Sequence, residues 1–204
     1  DLINQLEAGA LTEVEKRNSD LSDNDKKATA HEVAVAALRY FLLKFTRNTV
    51  IAFDFKEALS FEGETGPYCQ YAAVRTNSIF RKLGNEIVAA ADALVNQIDE
   101  DGALQARVAE VLSGEAGTEI WSLVMLSQQL DDVILQCRNS AEPANLAKYT
   151  FSLARTFSRF YHDHRILSEP DEVRRGVLTA VTKIVRTQLT TALAILGINV
   201  PDQM

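Results

Sequence analysis

Cysteine, histidine and methionine are scarce in this chain, and each shortage narrows what it can be. Two cysteines in 204 residues, Cys69 and Cys137, fall inside helical patterns. They read as reduced packing residues rather than a disulfide frame, which points to a cytoplasmic setting. Three histidines, His31, His162 and His164, show no zinc spacing, so no metal site is expected. No run of eighteen apolar residues occurs, because even the stretch Val33 to Phe45 is interrupted by Arg39 and Lys44. A membrane span is therefore excluded by pattern. A basic-then-apolar leader is missing as well. No methionine precedes Met125, and the chain opens with Asp1-Leu2-Ile3 in mid-pattern, so a piece of a longer protein is expected.

What is present is ordinary globular material, 47% hydrophobic and 24% charged, with a net charge of −7. The charge is uneven. Residues 1–60 hold 8 basic and 10 acidic side chains, residues 61–140 hold 5 and 12, and residues 141–204 hold 8 and 6. An acidic protein with a basic last third retains a local surface for phosphates, since screening makes near charges count most.

The periodicity is helical nearly throughout. Leu2 to Lys16 forms one amphipathic segment, with a break at Asn18-Ser19-Asp20. Ser22, followed by Asp23 and Asp25, caps a second helix that runs to about Phe45 and is apolar on nearly every side, so it needs cover from elsewhere. Ile51, Phe53 and Phe55 alternate with Val50, Ala52 and Asp54, which predicts one short strand. Pro67 opens a helix that ends near Gly84. Later helices are expected around Ile87 to Ile98, Leu104 to Leu112, Ile120 to Cys137 as one long element with Trp121 in the core, from Ser140 to Phe160, and from Asp171 to Leu196 with Gly197 as its stop. The fold class is thus all-α: a helical bundle over 61–204, preceded over 1–60 by a mostly helical segment carrying one short strand.

Two stripes carry chemistry. Tyr68, Tyr71 and Arg75, spaced by three and four, share one face of the Pro67 helix. Lys148, Arg155, Arg159 and His162 make a basic line on the penultimate helix, ending beside Tyr161. On residue types alone, the tyrosines read more readily as buried rings with satisfied hydroxyls and the basic line as a solvated face. Adjacent positions in His162-Asp163-His164 point apart, which argues against an acid–base or metal role.

The stretch Leu59-Ser60-Phe61-Glu62-Gly63-Glu64-Thr65-Gly66-Pro67-Tyr68-Cys69-Gln70-Tyr71, with Arg75, Ser78-Ile79 and Arg81-Lys82, resembles the arginyl-tRNA synthetase family where its catalytic domain hands over to a helical anticodon-binding domain. A second block is similar too: Glu142-Pro143, Leu153-Ala154, Phe157, Phe160-Tyr161, Arg165-Ile166-Leu167 and the ending Leu196-Gly197-Ile198-Asn199-Val200-Pro201-Asp202-Gln203-Met204. The resemblance implies that residues 1–60 are the end of the catalytic domain, in its stem-contact region, and that 61–204 are the anticodon-binding domain. It implies tRNA-Arg as partner, with Tyr68, Tyr71, Arg75, Tyr161 and Met204 at the anticodon-loop surface. Lys148, Arg155 and Arg159 are added as phosphate contacts.

Departures from the family pattern limit the activity. Neither a His-Ile-Gly-His-like nor a Lys-Met-Ser-Lys-Ser-like sequence occurs, so ATP with magnesium, and arginine, belong to a full-length enzyme, joined in cis to a catalytic part. No catalytic residue and no cofactor are expected in this chain itself. A monomer is expected. A helical protein-interaction module that kept the fold without the RNA is the alternative.

Overall fold

Local sequence chemistry sets most helix ends in the computed structural model, which describes residues 2–18 and 20–204. Asp1, and Ser19 in the expected first break, lie outside the described residues. Helix α1 spans Leu2–Arg17 and α2 spans Asp23–Leu43, with the Ser22 hydroxyl accepting from the Asp25 amide as its cap. A single turn, α3, covers Phe55–Ala58 under an Asp54 cap. The Thr65 hydroxyl accepts from the Tyr68 amide and Pro67 sits in the first turn of α4, Gly66–Gln97. Beyond it come α5 (Gly102–Val111), α6 (Gly114–Ser127), α7 (Leu130–Ser140), α8 (Ala144–Asp163), a 3-10 turn at Ile166–Ser168, and α9 (Glu172–Ile195). Asp171 caps α9 by accepting from the Arg174 amide, and Gly197, at φ 71°, turns the chain off its end. No helix among the described residues is long and apolar enough to cross a membrane.

Two apolar clusters hold these elements. The smaller joins Leu6, Ala10 and Val14 of α1 to Val33, Ala34, Ala37 and Phe41 of α2. The larger runs from Ala36 and Tyr40 of α2 through α4, α6, α8 and α9, with Leu153, Phe157, Leu178 and Leu189 fully buried. Because α2 feeds both, α1 covers one of its apolar sides and elements after residue 60 cover the other, which is the cover that residues 1–60 alone could not supply. Contact between α2 and α4 is close. A Cβ on Gly66 would lie 2.2 Å from the Ala36 carbonyl oxygen, so only glycine lets α4 begin there. The Tyr40 hydroxyl reaches α8, donating to the Ala147 carbonyl at 2.9 Å.

The structure corrects four expectations. Among the described residues there is no strand: the segment around 49–54 is extended but unpaired. Its alternation records one packed side, with Phe53 against Phe41 and Phe55 at ring separations of 4.7 and 5.2 Å, while Val50 is 96% exposed. The long helix over 120–137 is two, α6 and α7. At the break the Ser127 carbonyl, freed from helical bonding, accepts from the Tyr149 hydroxyl at 3.2 Å. Trp121 is 48% exposed because Ile120 and Leu123 occupy the inner face of α6 instead. Ser140 ends α7 rather than starting α8, since Ala141 turns left-handed at φ 51° and Pro143 takes the N-cap position. Gly84 does break its helix, at φ 77° and ψ 166°, but the helical chain resumes and continues to Gln97.

Candidate nucleic-acid interface

Helices α4 and α8 pack side by side, each turning its apolar residues inward. What remains along their seam is aromatic and basic. At one end the Tyr68 and Phe151 rings lie 5.5 Å apart. Further along, Arg75 places its guanidinium carbon 4.7 Å from the Tyr71 ring centre and 5.2 Å from that of Tyr161, one ring on each helix. The spacing of four between Tyr71 and Arg75 supplies half of this arrangement, and Phe157, 6.4 Å from Tyr161, backs the other half.

Beside the stack opens a cleft of about 500 Å³, lined by Arg75, Ser158, Tyr161, His162, Arg165 and the turn that follows. Its floor is His164, buried against the Phe160 ring at 4.9 Å. The His164 Nδ1 accepts from the Arg174 guanidinium at 3.2 Å, and Arg174 is held in turn by Glu169 at 3.1 Å. Burial first, and the Arg174 cation second, push the His164 pKa below the ordinary imidazole value. Because Nδ1 accepts, the neutral ring carries its proton on Nε2, which lies 3.8 Å from the Glu119 carboxylate and makes no hydrogen bond among the described residues.

The predicted residues do not all converge. Tyr71, Arg75 and Tyr161 meet in one stack, and Tyr68 stands next to it on the same seam. Lys148 and Arg155 lie exposed on the outer face of α8, with no carboxylate within 4.0 Å among the described residues. Arg159 is on the same face but is already paired, with Glu119 at 3.3 Å and Asp163 at 3.6 Å. Met204 is half-buried against the smaller cluster, outside the stack. Sequence reasoning passed over Ser158, Arg165 and His164 as lining groups. Arg165 carried a signal as part of the block that resembles the family, and all three sit at the end of the Tyr161 helix, where the chain must turn.

A row of rings and guanidinium groups beside a polar cleft is suited to unstacked bases and phosphates. The model of the DALR anticodon binding domain matches residues 69–204. This chain belongs to the DALR anticodon-binding family. Tyr71, Arg75, Lys148, Arg155, Arg159, Tyr161 and Met204 all fall within the DALR span, and Tyr68 lies one residue before it. An arginine–tRNA ligase of Streptococcus suis is 35% identical over 196 residues, covering 96% of this chain and 30% of the relative. Another, from Limosilactobacillus fermentum, is 32% identical over 206 residues, covering 100% and 32%. The solved arginyl-tRNA synthetase of Thermus thermophilus superposes with a TM-score of 0.80 at 27% identity, over 100% of this chain and 32% of that one. That of Plasmodium falciparum, at 20% identity and a TM-score of 0.73 over 99% of this chain and 32% of that one, shares the fold. The DALR chain described here spans about a third of the length of the curated relatives it matches.

Proposed function

We propose that this chain is the C-terminal part of an arginine–tRNA ligase and that its α4–α8 seam reads the anticodon loop of tRNA-Arg. The observation that carries the reading is the Tyr71–Arg75–Tyr161 stack, which assembles two rings and a cation, all half-buried, from separate helices at one seam. Tyr68, Tyr71 and Tyr161 supply faces for unstacked bases, at roughly 1–3 kcal/mol for each base gripped. Arg75 adds charge and planar donors. Lys148 and Arg155, exposed beyond the stack, take phosphates, and Arg159 contributes less because its carboxylate partners already neutralise it. Met204, held against the smaller cluster and outside the stack, adds a base contact of its own.

In this reading residues 1–60 close the catalytic domain and residues 61–204 form the anticodon-binding domain. The two apolar clusters, one built mainly before Phe61 and one mainly after it, support that division. The partners are tRNA-Arg and a catalytic part in cis, in a cytoplasmic monomer. ATP, magnesium and arginine belong to the catalytic part, and no residue of this chain is assigned to them. Binding far from the chemistry then positions the acceptor end of the tRNA for arginylation.

A filter-binding titration of tRNA-Arg against a mismatched tRNA, at two salt concentrations, tests this. Preference for tRNA-Arg with affinity falling as salt rises is the expected result; weak binding with neither preference nor salt slope overturns it. The second reading, a protein-interaction module, has one observation in its favour: Trp121 and Met125, one turn apart on α6, are 48% and 54% exposed. The same titration separates the two.

A further inference from the structure

The residues after α9 form neither helix nor strand, so their backbone groups need partners from other elements. Two of those partners are side chains of α4. Gln70, wholly buried, donates through Nε2 to the Asn199 carbonyl at 2.7 Å and to the Glu32 carbonyl of α2 at 3.2 Å. Further along α4, the exposed Arg81 donates to the Asp202 carbonyl at 3.1 Å. Between these two anchors Pro201 is buried and Val200 rests on the larger cluster. Past them, Met204 settles against the smaller one.

A glutamine with no exposed surface is not there for packing, because a methionine fills the same space without the cost of drying an amide. Its Oε1 finds no partner among the described residues, so the two bonds donated by Nε2 are what offset its burial. They join α2, α4 and the tail at one point, and the next residue on α4 is Tyr71. We propose that Gln70 and Arg81 are positioning residues that latch the C-terminal tail onto α4, fixing Met204 relative to the stripe of Tyr71 and Arg75. The RNA half of this proposal rests on the anticodon-loop reading above, while the latch itself does not.

Hydrogen–deuterium exchange on the full chain tests the latch without RNA. Gln70→Met and Arg81→Ala should each speed exchange over 198–204, by roughly tenfold for the buried anchor and less for the exposed one. Arg81 is exposed, so its variant decides the matter if Gln70→Met fails to fold. Unchanged tail exchange in the folded variants overturns the latch. Titration of tRNA-Arg then tests the positioning role in a double-mutant cycle. Gln70→Met should weaken binding by roughly tenfold, and Gln70→Met combined with Met204→Ala should bind no more weakly than Met204→Ala alone. Additive losses, or a Gln70→Met chain that binds like the unsubstituted one, overturn the positioning role. An unsubstituted chain with no preference for tRNA-Arg overturns the anticodon-loop reading and the positioning role with it, and the exchange result still decides the latch.

Discussion

Arg75→Ala removes a single guanidinium that lies over two rings, and the structure sets what that should cost. Two cation–π contacts at partly exposed sites are worth about 0.5–1 kcal/mol each, so the folded chain should lose about 1–2 kcal/mol. For a protein of this size Tm should then fall by about 2–8 °C. The loss to RNA should be separate and larger. Tyr71 and Tyr161 lose the group that sets their spacing, and one stacked base is worth about 1–3 kcal/mol, so Kd for tRNA-Arg should rise by about 5- to 150-fold. Arg75→Lys retains the charge without the plane; it should recover most of the salt dependence and little of the affinity. Thermal melts and filter binding on the same preparations read both quantities. A normal Kd in Arg75→Ala, accompanied by the expected fall in Tm, refutes the reasoning, because the stack would then be only a tie between α4 and α8.

Three other outcomes follow from the same geometry. Lys148→Ala and Arg155→Ala should each reduce the slope of log Kd against log salt by about 1, equally for matched and mismatched tRNA, whereas Arg159→Ala should change it less because Glu119 and Asp163 stand at 3.3 and 3.6 Å. Gly66→Ala should destabilise the chain by about 1–3 kcal/mol or more in urea melts, since the added methyl meets the Ala36 carbonyl oxygen at 2.2 Å and backbone has no flexible tip to move aside. His164 makes stability depend on pH. Its folded-state pKa lies below the unfolded value, near 6.5, so the unfolded chain binds more protons below about pH 6.5 and stability falls as pH drops from there toward the folded pKa. His164→Gln should flatten that part of the profile in melts taken across the window, and an unchanged profile would remove His164 as its source.

The parts of this fold legible in the sequence are those decided within a few residues. Ser22, Asp171 and Gly197 mark helix ends because a cap satisfies its own neighbours, and Pro67 marks a start because its missing N–H costs no helical bond. Phe53 was misleading for the opposite reason. Alternation reports a buried side, and that side is buried by Phe41 of α2 rather than by a neighbouring strand. Trp121 likewise reads as core by type, yet the register of α6 gives the inner face to Ile120 and Leu123. At the candidate interface, Tyr71 and Arg75 announce themselves by spacing, but Tyr161 completes their stack only once α8 lies along α4. Arg159 looks like its neighbours Lys148 and Arg155 until Glu119, from α6, arrives to neutralise it.

That long-range step also bears on how the seam would work under the proposed reading. In the free chain the Arg75 guanidinium lies over both rings, 4.7 and 5.2 Å from their centres, and so holds Tyr71 and Tyr161 to one place on the seam. A base stacking on either ring would exchange a cation–π contact for a stack and release a fork of N–H donors that no carboxylate among the described residues claims. The released guanidinium would swing toward the cleft it already lines, beside Ser158 and Arg165. Little side-chain entropy would be lost, because Phe157 backs one ring and α4 itself sets the other. Selectivity would then come from which base edge or phosphate satisfies the freed donors, and affinity from rings held where the guanidinium sets them, so Tyr161→Phe should preserve most binding while Arg75→Lys, which lacks the planar fork, should both bind more weakly and lose preference for tRNA-Arg over a mismatched tRNA.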